Sequence, residues 1–419
     1  MAEYVTFTKE MRRDYTILVP TMLPIHFELI VSVFNTYGYH MELLRTSGPH
    51  IVEAGLRYTH NDACYPAVLV IGQFMDALKS GKYDPNKTAL MMFQTGGGCR
   101  ASNYISLIRK AVERAGLGHV PVVSFSFNRM EKHPGFQLTL PIIHGLLYAV
   151  LYGDLLMTLV NQTRPYEAEA GAAERLAGEW TKRLALELGA GGKIRYRQVR
   201  RNYEAMLKEF AAIPKLERDT VKVGVVGEIF VKYSPLGNNH LEDFLLKEGA
   251  EVITPGLMDF LLYCVYNALE DNRLYGRHML TKPFIRFAYR LLCRKKNDII
   301  TLMKQQSVFT PWTPFAETAT LARGYIHQGA KMGEGWLLTA EMLELSQSGC
   351  KNIVCTQPFG CLPHHICGKG MMKPVKERNP DVNIVAIDYD ASATKVNQEN
   401  RLKLMLAAAR ENKKGPAAP

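Results

Sequence analysis

Cys64, Cys99, Cys355 and Cys361 sit where loops or strands give way to helices, rather than inside apolar helical runs. Cys64 lies in THNDACYPAVLVIGQF, with Pro66 placed for the first turn of a helix. Cys99 follows three glycines in QTGGGCRASNYI, and Cys355 and Cys361 bracket TQPFG ahead of a helix beginning near Leu362. A helix start offers free N–H groups and a partial positive charge, which favours thiolate. Thiolates are the ligands of iron–sulfur clusters and soft metals. Glycines such as Gly97 and Gly98 let the backbone approach a bulky inorganic group and donate N–H groups to its sulfurs. Arg100 could neutralise cluster or substrate charge, and Gln357 and Phe359 could shield the group from water. The plain counterparts are a surface arginine and ordinary turn packing.

Other chemistries compete for these residues. Zinc could draw on Cys355, Cys361, His364, His365 and Cys367, but C-x5-C-x2-H-H-x-C is not a usual zinc spacing. A nucleophilic thiol at Cys99 or Cys361 lacks an identifiable base beside it. GGGC is not a phosphate loop, because no Lys-Ser/Thr follows the glycines. Cys264 and Cys293 fall in apolar helical patterns and Cys350 precedes a strand, so these three are expected to pack as small hydrophobes.

Positioning such a site requires a scaffold, and the sequence shows one twice. A strand at Tyr15–Pro20, a helix over 25–37, Gly38 as its stop and a strand at Tyr39–Leu44 read as β–α–β, the signature of a parallel sheet covered by helices. The pattern returns at Val221–Val231, a helix over 241–247, Gly249 and the strand Glu251–Thr254. Ala89–Gln94 and Asn352–Cys355 are apolar strands that run into Cys99 and Cys361. Each leads through a helix to a further strand, Val120–Ser124 and Val382–Ala386, and each cysteine precedes that strand by 21 residues. Two related α/β halves are the expected architecture: an N-terminal domain over 1–150, a helical connector over 151–218, and a C-terminal domain over 219–419 with a helical insertion near 256–347.

The whole chain fits this scale. It has 419 residues, 47% hydrophobic and 22% charged, within globular norms and unlike a disordered or fibrous protein. A formal charge of +11 suits an anionic ligand or acidic partner without selecting nucleic acid. The N-terminal segment has no apolar core followed by a cleavage site, so no export and a cytoplasmic location are expected. Pro141–Val160 is apolar but carries His144, Gly145, Gly153 and Asp154, so a buried helix is expected there and no membrane association. Without export, structural disulfides are not expected among the 8 cysteines.

Taken together, NDACYPA, QTGGGCRASNYI, GEGWLLTAEM, CTQPFGCLPHHI and IDYDASATKVNQENRLKLML resemble the 2-hydroxyacyl-CoA dehydratase (2-hydroxyglutaryl-CoA dehydratase-like) iron–sulfur family, in particular the dehydratase-like module of acyl-CoA dehydratase activase-related proteins. The resemblance runs from about Asp14 to Leu406. It implies two Rossmann-like (flavodoxin-like) parallel-sheet domains with inserted helical segments. It implies a [4Fe-4S] cluster on Cys64, Cys99 and Cys361, with Cys355 similarly placed in relatives and Cys367 ranked lower. A bridged double cubane is the alternative, but it needs about six thiolates. The resemblance further implies a partner, an ATP-hydrolysing activase with its own iron–sulfur cluster. That partner would pass one low-potential electron to this chain as the substrate-side component, a lyase or reductase acting on an acyl-CoA thioester through a ketyl radical. A homo- or heterodimer would fit the same pattern. A non-catalytic cluster carrier or electron relay is the alternative role, and a cluster-free binding protein a third.

Overall fold

In the computed structural model, which describes residues 4–60, 62–93, 99–125, 131–192 and 194–414, the chain builds the same small sheet twice. β1 (Thr16–Pro20), β2 (Met41–Leu44), β3 (Thr88–Phe93) and β4 (Val122–Phe125) form a four-stranded sheet in the order β2-β1-β3-β4. β5 (Val221–Gly227), β6 (Ala250–Ile253), β7 (Asn352–Pro358) and β8 (Asn383–Tyr389) repeat that order as β6-β5-β7-β8. Every pairing is parallel. The strands are apolar almost end to end, as strands buried on both faces must be: β4 is buried at all four positions and β7 at six of seven.

In each sheet the chain first steps outward to one edge and then crosses to the other side, so the order reverses between β1 and β3 and again between β5 and β7. Loops leaving the carboxyl ends of strands at such a reversal part to opposite faces and leave a crevice. Cys99 follows β3, and Cys361 follows β7.

The expected strand Val221–Val231 is shorter than the apolar run suggested. It stops at Gly227, where φ is +156° and a β-carbon would lie 1.9 Å from Thr356 Oγ1, so no side chain fits. Glu228 then caps a short helix, Ile229–Tyr233, by accepting from the Val231 amide at 2.9 Å. The connector divides into helices Ala172–Gly189 and Tyr196–Ala211, broken around the glycines as expected. Between β6 and β7 come the helices Leu257–Tyr275, Lys282–Gln306, Phe315–Leu321 and Trp336–Gln347.

The halves share their interior. One core joins Leu18, Leu69 and Ile108 of the first half to Val223, Val354 and Leu406 of the second. A second joins Phe34 and Leu155 to Met258 and Trp336. The Tyr65–Lys79 helix has thirteen buried residues, so it is apolar nearly all round and lies between the halves.

Among the described residues one helix is long and apolar enough to cross a membrane, Leu140–Thr163, but 72% of its most apolar window is buried within the protein. Its one acidic residue, Asp154, ties it to its neighbours. Asp154 Oδ1 lies 2.8 Å from His26 Nε2 and accepts from the Leu257 amide at 2.7 Å, while Oδ2 accepts from Met258 N at 2.8 Å. One helix thereby caps another from outside. Gly153 lets His26 approach, since a β-carbon there would lie 2.4 Å from the imidazole.

Cys350 is buried as expected, whereas Cys293 is half-buried and Cys264 is exposed on the Leu257–Tyr275 helix. The apolar pattern around Cys264 packs through its neighbours Leu262 and Tyr263, which turns the thiol outward.

Candidate functional site

Three of the cysteines come together at the crevice. Cys64, Cys99 and Cys361 line one narrow cavity of about 50 Å³ with Arg100, Tyr104, Glu228 and Glu334. Each thiol stands at a helix start. Cys64 precedes Tyr65–Lys79, Cys99 precedes the single turn Arg100–Asn103 that runs into Tyr104–Arg114, and Cys361 precedes Leu362–Cys367. Extended backbone at all three positions makes them the residues at which the chain turns into a helix. Cys99 Sγ accepts from the Ala101 amide at 3.3 Å, and Cys64 Sγ lies 3.2 Å from Tyr104 Oη.

Small residues hold the walls together. The Tyr65 amide donates to the Phe359 carbonyl at 3.0 Å, tying the two halves beside the cavity. A β-carbon on Gly360, where φ is +73°, would lie 3.2 Å from Cys64 Cα and 2.8 Å from Arg100 Nη1. One on Gly333 would lie 3.3 Å from Pro363 and 3.9 Å from Cys99 Sγ. Arg100 itself is anchored by donating to the Asp62 carbonyl.

The two carboxylates were not among the residues expected from the sequence. Glu228 exists at the site because β5 ends early, and Glu334 accepts from the Ile229 amide at 2.9 Å. Both are buried; burial, reinforced by the charge of Glu334, pushes Glu228 up to about 8, and burial raises Glu334. A Gly-Glu step follows β5 and another lies in GEGWLLTAEM, which is a legible but weak sequence signal.

Electrostatics at the thiols differ from the sequence expectation. Helix starts were expected to favour thiolate. Instead burial raises all three thiols, with Cys99 pushed up to about 11, and the nearby Glu228 and Glu334 add to the effect. A bound cationic centre reverses this balance, since coordination deprotonates a thiol outright.

The remaining candidates lie elsewhere. Cys355 is fully buried in β7, in a small core with Val226, Met342 and Ile384, its Sγ 3.4 Å from His364 Nε2. It is not part of the cavity wall, because alternate residues of a strand face opposite ways. Gln357 is buried and bonds to His364 and His365, so it orients those imidazoles rather than facing the cavity. Phe359 is 50% exposed and contributes its carbonyl. Cys367 is buried at the far end of its helix. Gly97 and Gly98 lie outside the described residues.

Among the described residues, no three His, Cys, Asp or Glu side chains converge tightly enough to hold a single metal ion. The five-residue zinc arrangement is therefore not formed. Ligands of a cluster bind different irons and stand further apart, so the donor set suits a cluster better than a lone ion: three thiols, a glycine-lined wall and an amide already pointed at sulfur. No protein-family model matches the chain, and neither does any curated protein.

Proposed function

We propose that this protein is an iron–sulfur protein, with a [4Fe-4S] cluster held by Cys64, Cys99 and Cys361, acting as the electron-accepting, substrate-side component of an ATP-driven reductase or dehydratase on a CoA thioester. The observation that carries this reading is the lining of one cavity by three helix-start cysteines drawn from both halves of the chain. The motif resemblance to the 2-hydroxyacyl-CoA dehydratase family and the repeated Rossmann-like strand order support it. When bound, the cluster would supply a single low-potential electron.

The chain's own residues have separate tasks. Cys64, Cys99 and Cys361 would hold the cluster. The Ala101 amide, directed at Cys99 Sγ, tunes that ligand's charge. Arg100, fixed by Asp62, offers one positive charge at the wall. Leu362, which lines the cavity and is 61% exposed, would limit water at its wall. Glu228 and Glu334, both raised by burial, would offer a proton to a substrate oxygen that gains negative charge.

The two carboxyls also favour a second reading. One of them could complete the ligand set, giving an electron relay with no open iron. Anaerobic reconstitution with iron and sulfide separates the cases. The catalytic reading requires about four irons per chain and a spectrum that changes with an acyl-CoA. A cluster indifferent to every acyl-CoA supports the relay. A colourless protein holding less than about one iron per chain sinks both.

A further inference from the structure

From Asn272 to Lys295 not one residue is buried, although most of this stretch is helical. It is the outer end of a hairpin formed by Leu257–Tyr275 and Lys282–Gln306. The inner halves carry the packing, through residues such as Leu262 and Tyr263 on one helix and Ile299 and Met303 on the other. Tyr289, Leu292 and Cys293 at its base still pack against the core, but the tip beyond them is exposed and apolar. Leu280 is 98% exposed, and Met279, Phe284 and Phe287 are 72%, 74% and 64% exposed. Isolated exposed apolar residues need no explanation, but four large ones on one projecting tip mark a contact surface.

The charge on the same tip identifies the kind of contact. No Asp or Glu occurs between Asn272 and Asn297, whereas eight Lys or Arg do. Lys282, Arg286, Arg290 and Arg294 recur every four residues and so run as one stripe along the helix. None of the four is in an ion pair with a carboxylate among the described residues. Phe284, Phe287 and Leu291 follow at i, i+3 and i+7 and form the neighbouring apolar stripe.

We propose that this hairpin tip docks on an anionic lipid surface, with Leu280, Phe284 and Phe287 entering the acyl boundary and the arginine stripe at headgroup level. A basic stripe beside an aromatic and aliphatic one is the pattern of helices that lie in the bilayer interface. Long cationic side chains reach headgroups while their stems stay on the apolar side. Each basic side chain at an anionic surface strengthens attachment about fivefold. A second copy of this chain is a poor occupant, since apposed tips would bring two uncompensated cationic stripes together. A folded acidic partner would need a concave counterpart to a convex tip and would gain no directional hydrogen bonds from these apolar side chains. The inference departs from the sequence expectation of no membrane contact, and it is independent of the cluster.

The test is co-sedimentation of the full chain with vesicles of phosphatidylcholine alone or with phosphatidylglycerol added. Binding is expected only with the anionic lipid and is expected to weaken as salt is raised. Leu280→Asp/Phe284→Asp and, separately, Arg286→Glu/Arg290→Glu should each weaken it by about tenfold or more while leaving the far-ultraviolet circular dichroism unchanged. Failure of the parent chain to bind anionic vesicles overturns the proposal. So does binding that the apolar pair of substitutions leaves intact, which would mean general electrostatic adhesion. Conversion of a solution dimer to monomer by Leu280→Asp/Phe284→Asp, without vesicle binding by the parent, assigns the tip to a second copy and also overturns it.

Discussion

The backbone amide of Tyr65 donates to the carbonyl of Phe359 at 3.0 Å, across 294 positions of sequence. Tyr65 is the first residue of the helix that begins after Cys64, and Phe359 stands two residues before Cys361. This one bond therefore sets the helix start of the first half against the strand exit of the second. It fixes the spacing of two thiols more directly than any contact between the thiols themselves.

Gly360 sits between these two points, and its substitution tests the junction. Gly360→Ala combines a left-handed backbone with a β-carbon 3.2 Å from Cys64 Cα. A loss of about 1–3 kcal/mol in stability is expected. Gly349, with φ of +86° and open space around it, serves as the comparison. Gly349→Ala should lower the unfolding midpoint less, and it should leave iron uptake unchanged while Gly360→Ala impairs it.

The cysteine positions predict a sharp division in metal content. Cys361→Ala, Cys64→Ala and Cys99→Ala should each lose most of the iron and sulfide taken up on anaerobic reconstitution. Cys355→Ala should keep them, because its thiol lies in the core behind β7 rather than at the cavity. It should instead cost stability, about 1 kcal/mol for a small cavity. Equal iron loss in Cys355→Ala would require the second core to open onto the site.

Asp154 holds three partners in the interior, and its removal leaves two helix-start amides and His26 without an acceptor. Asp154→Ala should cost about 3–5 kcal/mol, measured by urea unfolding. Asp154→Asn, which keeps one acceptor oxygen, should cost less. Because the residue joins the Leu140–Thr163 helix to the helical insertion, the loss should appear as one cooperative transition.

Acid stability should report on His364. The side chain is completely buried beside Cys355 and Gln357, and burial lowers its pKa to about 3. In the unfolded chain it regains an ordinary value of 6.5, so the unfolded state takes up the proton first. The neutral imidazole's contribution is therefore present above about pH 6.5 and is lost as pH falls from there toward about 3. In the metal-free protein His364→Gln should flatten that part of the stability curve relative to the parent. An unchanged slope would show that the carboxylates alone set acid stability.

Much of the scaffold was legible in the chain. The β–α–β openings at Tyr15 and Val221 and the matched 21-residue spacings after Cys99 and Cys361 correspond to two sheets of the same strand order. These features are local: apolar runs of strand length, glycines at helix ends and proline in a first turn depend on nearby residues. Helix-start placement of Cys64, Cys99 and Cys361 is local in the same sense. What the tertiary structure decided is which groups meet. Cys355 is only six residues from Cys361, yet the pleat of β7 turns it into a separate core. Glu228 reaches the cavity because Thr356 on a neighbouring strand leaves Gly227 no room for a side chain, and Glu334 because Ile229 offers it an amide. Parallel strands are joined by long crossovers, so the groups at their carboxyl ends are set by strand order and by the packing of one half on the other, neither of which is written in the spacing of any single motif.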